Sequence, residues 1–313
     1  MHSLSFTIAA ACAALMGYAI QRGGTCMVAA VEEVVRYRTA TRALALGEAA
    51  LWVTTGLLIA HALGALPHAP KAFGLMLTAV VGGALLGLGA LLNGACLFGT
   101  IARLGSGQWA YALTPAGFFL GCLTAAPLIA MARPPQISMP SVLFTLPVWT
   151  LSVLAPLAAW RVYDVSQAAR EGRFAQRIWS PHLATTVIGL TFVVTMLTVG
   201  AWTYTDLLAE SANGAMTRDI WPRLLLFAAL LGGAIAGGGT SGRIRLAFPR
   251  VSGLARCVTG GWLMGLGGML IPGGNDSLIL VGLPLIQPHA WAAIAAMALV
   301  IALGLLVQRR WAA

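Results

Sequence analysis

Charge is scarce in this chain. Only 9% of its 313 residues are Asp, Glu, Lys or Arg, and just 9 of them are acidic. A water-soluble domain covers its surface with roughly a quarter charged residues. The shortfall excludes the pair of soluble domains that the length alone would suggest. Cysteine is sparse as well: Cys12, Cys26, Cys96, Cys122 and Cys257 form no CxxC pair, and an odd number inside apolar runs argues against a disulfide framework. The 5 histidines show no metal-ligand spacing such as HExxH. There is no GxxxxGK[ST] loop for ATP, no cofactor motif and no catalytic dyad, which leaves no footing for an enzyme. Basic residues stand singly between apolar runs, with no aromatic-studded patch for nucleic acid.

What the chain has in quantity is apolar surface: 59% hydrophobic residues and a mean hydropathy of +0.85. Such a chain has lipid outside it, so the expected class is an all-α integral membrane protein. Runs of roughly 17–25 residues suffice to span a bilayer. Nine fall at about 4–21, 43–66, 73–93, 109–131, 142–160, 182–201, 222–239, 254–271 and 289–308. Turn chemistry separates them at 67–70, Arg133-Pro134-Pro135, Ser180-Pro181 and 286–288. The first run has no basic residue ahead of it, so it reads as a retained helix and not as a signal peptide. With the N-terminus outside, 15 of the 19 basic residues fall on inner segments, leaving Lys71, Arg133, Arg218 and Arg223 outside. The positive-inside rule therefore predicts a cytoplasmic C-terminus and a large cytoplasmic loop over 161–181.

Four stretches break apolar runs with glycines and small polar residues: Gln21-Arg22-Gly23-Gly24-Thr25-Cys26; 87–99, with Asn93-Gly94-Ala95-Cys96 at its centre; Gly237-Gly238-Gly239-Thr240-Ser241-Gly242; and 265–276, ending Pro272-Gly273-Gly274-Asn275-Asp276. The second and fourth resemble each other but break towards opposite faces. That predicts a single transmembrane domain built as an inverted repeat, with halves of roughly 1–135 and 180–313 joined by a fifth span. Packing through small residues needs only Gly and Ala. Thr25, Asn93, Asn275 and Asp276 at the breaks suggest instead that irregular backbone lines a polar pathway. Helices starting after a break point free N–H groups into it, which suits an anion. Cys26 and Cys96 stand at two breaks, and a thiol is a soft, polarizable contact suited to a sulfur-bearing anion. Thr25, Asn93, Thr240, Ser241 and Asn275 are candidates either for substrate contact or for satisfying broken backbone.

At these residues the chain resembles the YeeE/YedE family, also called the sulphur transport family, which includes a bacterial thiosulfate importer and the SoxT-type proteins. The matching stretches are 17–26, 87–107 (with NGACLFGTIARLGSG the most specific), 237–245 and 260–275. The resemblance implies an hourglass of about nine membrane helices plus short re-entrant helices in the bacterial inner membrane. It further implies a thiosulfate path lined by three cysteines. Two correspond to Cys26 and Cys96; Gly274 stands where the third would be. Asp276 then lies at a wet outer mouth, is protonated, or is paired. The leading function is import of a small sulfur-containing anion, thiosulfate first. The alternative is a membrane sensor reporting sulfur compounds to a cytoplasmic regulator or sulfurtransferase docked on the 161–181 loop.

Overall fold

Apolar runs bounded by glycine and proline wind into helices, as they must where no water is present to satisfy the backbone. The computed structural model describes residues 3–66, 72–129, 136–137, 141–147, 149–214, 220–242, 244 and 249–312. Among these the long helices are α1 (Ser3–Gly23), α3 (Thr41–Ala62), α4 (Leu77–Asn93), α6 (Leu113–Ile129), α7 (Thr150–Arg170), α8 (Pro181–Val199), α10 (Ile220–Ser241), α11 (Val251–Leu270) and α13 (Pro288–Ala312). Four short ones follow breaks: α2 (Met27–Tyr37), α5 (Leu97–Gly105), α9 (Tyr204–Ala212) and α12 (Asn275–Gly282), whose second half is a π turn. A two-residue ribbon pairs β1 (Ala72–Phe73) with β2 (Gln136–Ile137). The breaks at 67–70 and 133–135, and Lys71, Arg218, Asp219, Arg243 and Arg245, lie outside the described residues.

This is a multi-pass, helical membrane protein. Among the described residues, six helical stretches are long and apolar enough to cross a bilayer, or seven if α11 and α12, bent by 52° at their junction, form one span. The nine-run expectation differs from this count in two places. In α6 the described helix is only 17 residues long. The fifth run also begins later than expected: Val142–Thr145 is a 3-10 turn capped by Ser141, and α7 starts at Thr150. From there α7 continues to Arg170, so half of the expected 161–181 loop is helix. Arg161 can lie within it because Glu48 of α3 receives its guanidinium at 2.5 and 2.8 Å. His182 of α8 meets the same carboxylate at 2.6 Å, so one acid ties three helices together.

The packing is reciprocal between the two parts of the chain. α1 packs on α10 and α8 on α3; α4 packs on α13 and α11 on α6; α1 meets α8, and α4 meets α11. The α4–α11 contact is backbone against backbone. A Cβ on Gly82 would stand 2.7 Å from the Gly267 carbonyl oxygen, and one on Gly267 2.5 Å from that of Gly82. Further along, Gly89 faces Gly260 in the same way, so the two helices run antiparallel. Small residues let the axes approach this closely.

Candidate functional site

Because α4 and α11 are antiparallel, the breaks that end them lie at opposite ends of the pair. Their continuations nevertheless meet. The Leu97 N–H, at the start of α5, donates to Asn275 Oδ1, at the start of α12, at 3.1 Å. The turns at Gly94-Ala95-Cys96 and Pro272-Gly273-Gly274, with Gly94, Pro272 and Gly273 at positive φ, therefore bring the chain back toward the middle, and the short helices begin there.

All four short helices start at this place. The Met27 N–H of α2 donates to Cys96 Sγ at 3.1 Å. Tyr204 Oη of α9 donates to the Leu97 carbonyl at 2.9 Å, and Thr205 Oγ1 of α9 donates to Asp276 Oδ1 of α12 at 2.5 Å. The residues preceding the four helices are Cys26, Cys96, Thr203 and Gly274, all in extended backbone. Of these only Thr203 caps its own helix, accepting from the Asp206 N–H. Cys26, Cys96 and Gly274 make no side-chain cap. The first N–H of α2 and of α5 are instead taken from across the cluster, by Cys96 Sγ and Asn275 Oδ1. Four helix starts, with their positive dipole ends, are thus gathered in one place, a setting for an anion.

The two candidate thiols are neighbours: the residue after Cys26 bonds Cys96 Sγ, and Gly99 of α5 lies against Cys26 Sγ. Cys96 is fully buried and Cys26 is partly exposed. Gly99, one turn into α5, makes room for the second thiol: a Cβ there would stand 2.5 Å from Cys26 Sγ.

The other expected residues divide. Asn275 joins the cluster; its Oδ1 is used, and its buried Nδ2 has no partner. Asn93 spends its side chain on the turn: Nδ2 donates to the Ala95 carbonyl at 2.7 Å, and Oδ1 accepts from Thr114 Oγ1 at 3.0 Å. Thr25 closes the end of α1, its N–H donating to the Ile20 carbonyl. Thr240 and Ser241 stand apart from the four starts. The expected glycine break at 237–242 is instead the continuous end of α10, and both hydroxyls bond back to their own helix. Glycine is needed there for approach: a Cβ on Gly238 would meet the Gly105 carbonyl oxygen at 1.7 Å. Thr240 also accepts from Arg22, whose guanidinium reaches Tyr18 Oη and the Gln176 carbonyl.

The position of the missing third cysteine is occupied by other groups. A Cβ on Gly274 would stand 2.6 Å from Thr205 Oγ1 and 2.7 Å from Asp276 Oδ1. Asp276 is 2% exposed, so a wet outer mouth is not its setting; one of its oxygens is paired with Thr205.

The profile of the family described as sulphur transport matches residues 22–303, a stretch that contains all four helix starts. The chain belongs to the sulphur transport family. No curated protein gives a match to it. Membership marks this membrane protein as a transporter of sulfur compounds, and the four breaks are its candidate path. Within that path the sequence reading missed α9. Its signal was present, however, in Thr203-Tyr204-Thr205-Asp206, an N-cap hydroxyl three residues ahead of an acid, following Gly200.

Proposed function

We propose that this chain is a permease that brings a small sulfur-containing anion, thiosulfate in the first instance, into the cytoplasm of a bacterium through its inner membrane. The observation that carries the reading is the gathering of four helix starts beside Cys26 and Cys96, neither of which caps its own helix. Dipoles and amides hold a dianion without a fixed cation, and so release it again. The thiols meet the soft sulfur end of thiosulfate, which sulfate lacks. The reciprocal packing of α1–α6 and α8–α13 supports an inverted repeat, with the path at the interface of its halves. The distribution of Arg and Lys supports an outer N-terminus. In that orientation α2 and α5 flank the inner vestibule, and α9 and α12 the outer one.

The test is uptake of ³⁵S-thiosulfate by the purified chain in liposomes. Wild type should exchange and take up thiosulfate in preference to sulfate, and Cys96→Ser should slow uptake several-fold at equal protein level. Equal rates for wild type and Cys96→Ser would remove the thiol from the path. Absence of thiosulfate exchange by wild type would remove the permease.

A further inference from the structure

Asp276 is an anomaly in a path for anions. One residue from Asn275, it sits where an incoming dianion would pass, and it is buried. Its Oδ1 accepts from Thr205, but its Oδ2 has no partner. Asp276 borders a largely apolar cavity with Met16, Ile20, Phe98, Trp202 and Leu280. Trp202 also lines this cavity, and its buried Nε1 has no acceptor.

No positive group among the described residues faces the carboxyl. From α9 it meets Tyr204, Thr205 and, across Ser277, Asp206, whose Oδ2 accepts from Ser277 Oγ at 3.2 Å. Phe98 of α5 lines the cavity that Asp276 borders, and α1 and α10 contribute Met16, Ile20 and Leu230 to it. The acid further along α9, Glu210, is paired with Arg223. A buried carboxylate with no cation takes up a counter-charge. An ionised Asp276 would also repel the dianion.

We propose that Asp276 carries a proton inward together with the anion. The inference rests on the permease reading above. The proton reaches Oδ2 from the α9 side, where Asp206 is half-buried beside Ser277. Neutral Asp276 then admits the dianion to the constriction, and anion and proton favour each other's binding by linkage. Release of both to the inner vestibule returns the carboxylate for the next cycle. A co-imported proton offsets one of the two negative charges that the inside-negative potential opposes.

The experiment uses the full chain in liposomes with the membrane potential clamped to zero. An inward pH step of one unit should then drive about tenfold accumulation of thiosulfate per proton carried. Adding thiosulfate outside should alkalinise the external medium. Asp276→Asn should abolish the alkalinisation, the pH-driven accumulation and the pH dependence of exchange; Asp276→Glu should restore them with a shifted pH midpoint. Thiosulfate exchange by wild type without proton movement, or accumulation driven by a sodium gradient at equal pH, would overturn the proton inference and leave the permease standing. PH-driven accumulation by a folded Asp276→Asn protein would overturn the role of this residue.

Discussion

Asn275 Oδ1 accepts the Leu97 N–H across 3.1 Å, joining the start of α12 to the start of α5. Two segments that leave opposite ends of the α4–α11 pair are held together by this bond. Asn275 is fully buried, so its loss would strand an N–H in a dry place. Asn275→Ala should destabilise the protein by about 1–3 kcal/mol. Thermal unfolding in detergent would read this loss, and thiosulfate uptake should fall beyond what the lower folded fraction explains.

Gly99 and Cys26 form a second dependence. Gly99→Ala places a methyl group 2.5 Å from Cys26 Sγ, so the thiol must move. Overpacking of this kind costs about 1–3 kcal/mol. Uptake by Gly99→Ala should drop at least as far as that of Cys26→Ala, and the double variant should be no worse than Gly99→Ala. Independent, additive losses in the double variant would show that the glycine acts elsewhere.

Gly274→Cys tests the vacant third position. The backbone at 274 is ordinary extended chain, so conformation does not forbid a side chain. Space does: Thr205 Oγ1 and Asp276 Oδ1 already fill it. The variant should therefore take up thiosulfate more slowly than wild type, in spite of its added thiol. Faster uptake in the initial-rate assay would mean that the Thr205–Asp276 pair yields easily.

Glu48 is the stability test away from the path. Its carboxylate holds Arg161 and His182, and the side chains of Glu48 and Arg161 are only 12% and 10% exposed. Glu48→Gln leaves Arg161 without its main counter-charge, a change that costs about 3–5 kcal/mol for a buried pair. The melting temperature should fall sharply, and less so when Arg161→Met accompanies it. An unchanged melting temperature in Glu48→Gln would mean that the three-helix tie is held by packing alone.

Much of this architecture is legible in the residues. Apolar length marks the long helices, and polar residues among glycines mark three of the four breaks. Cys26, Cys96 and Asn275 stand out in the sequence because thiols and an amide at glycine breaks in an apolar chain are unusual, and the structure brings them into one cluster. The run at 237–242 misleads because glycines needed for close packing look like glycines needed for a break. Only the contact of Gly238 with the Gly105 backbone tells them apart. The extension of α7 past Arg161 depends on Glu48, 113 residues away, and no local pattern encodes that partnership. The pairing of Asp276 with Thr205 is likewise a tertiary event between segments that each look like ordinary loop ends.

The mutual contact of Gly82 and Gly267 carries a mechanical consequence. Where main chain lies on main chain there are no rotamers to switch and no side chains to slide, so α4 and α11 act as a fixed strut. Opening and closing are then expected of the short helices hung from its two ends, at the waist, without α4 rocking across α11. Cross-linking α4 to α11 should leave turnover intact.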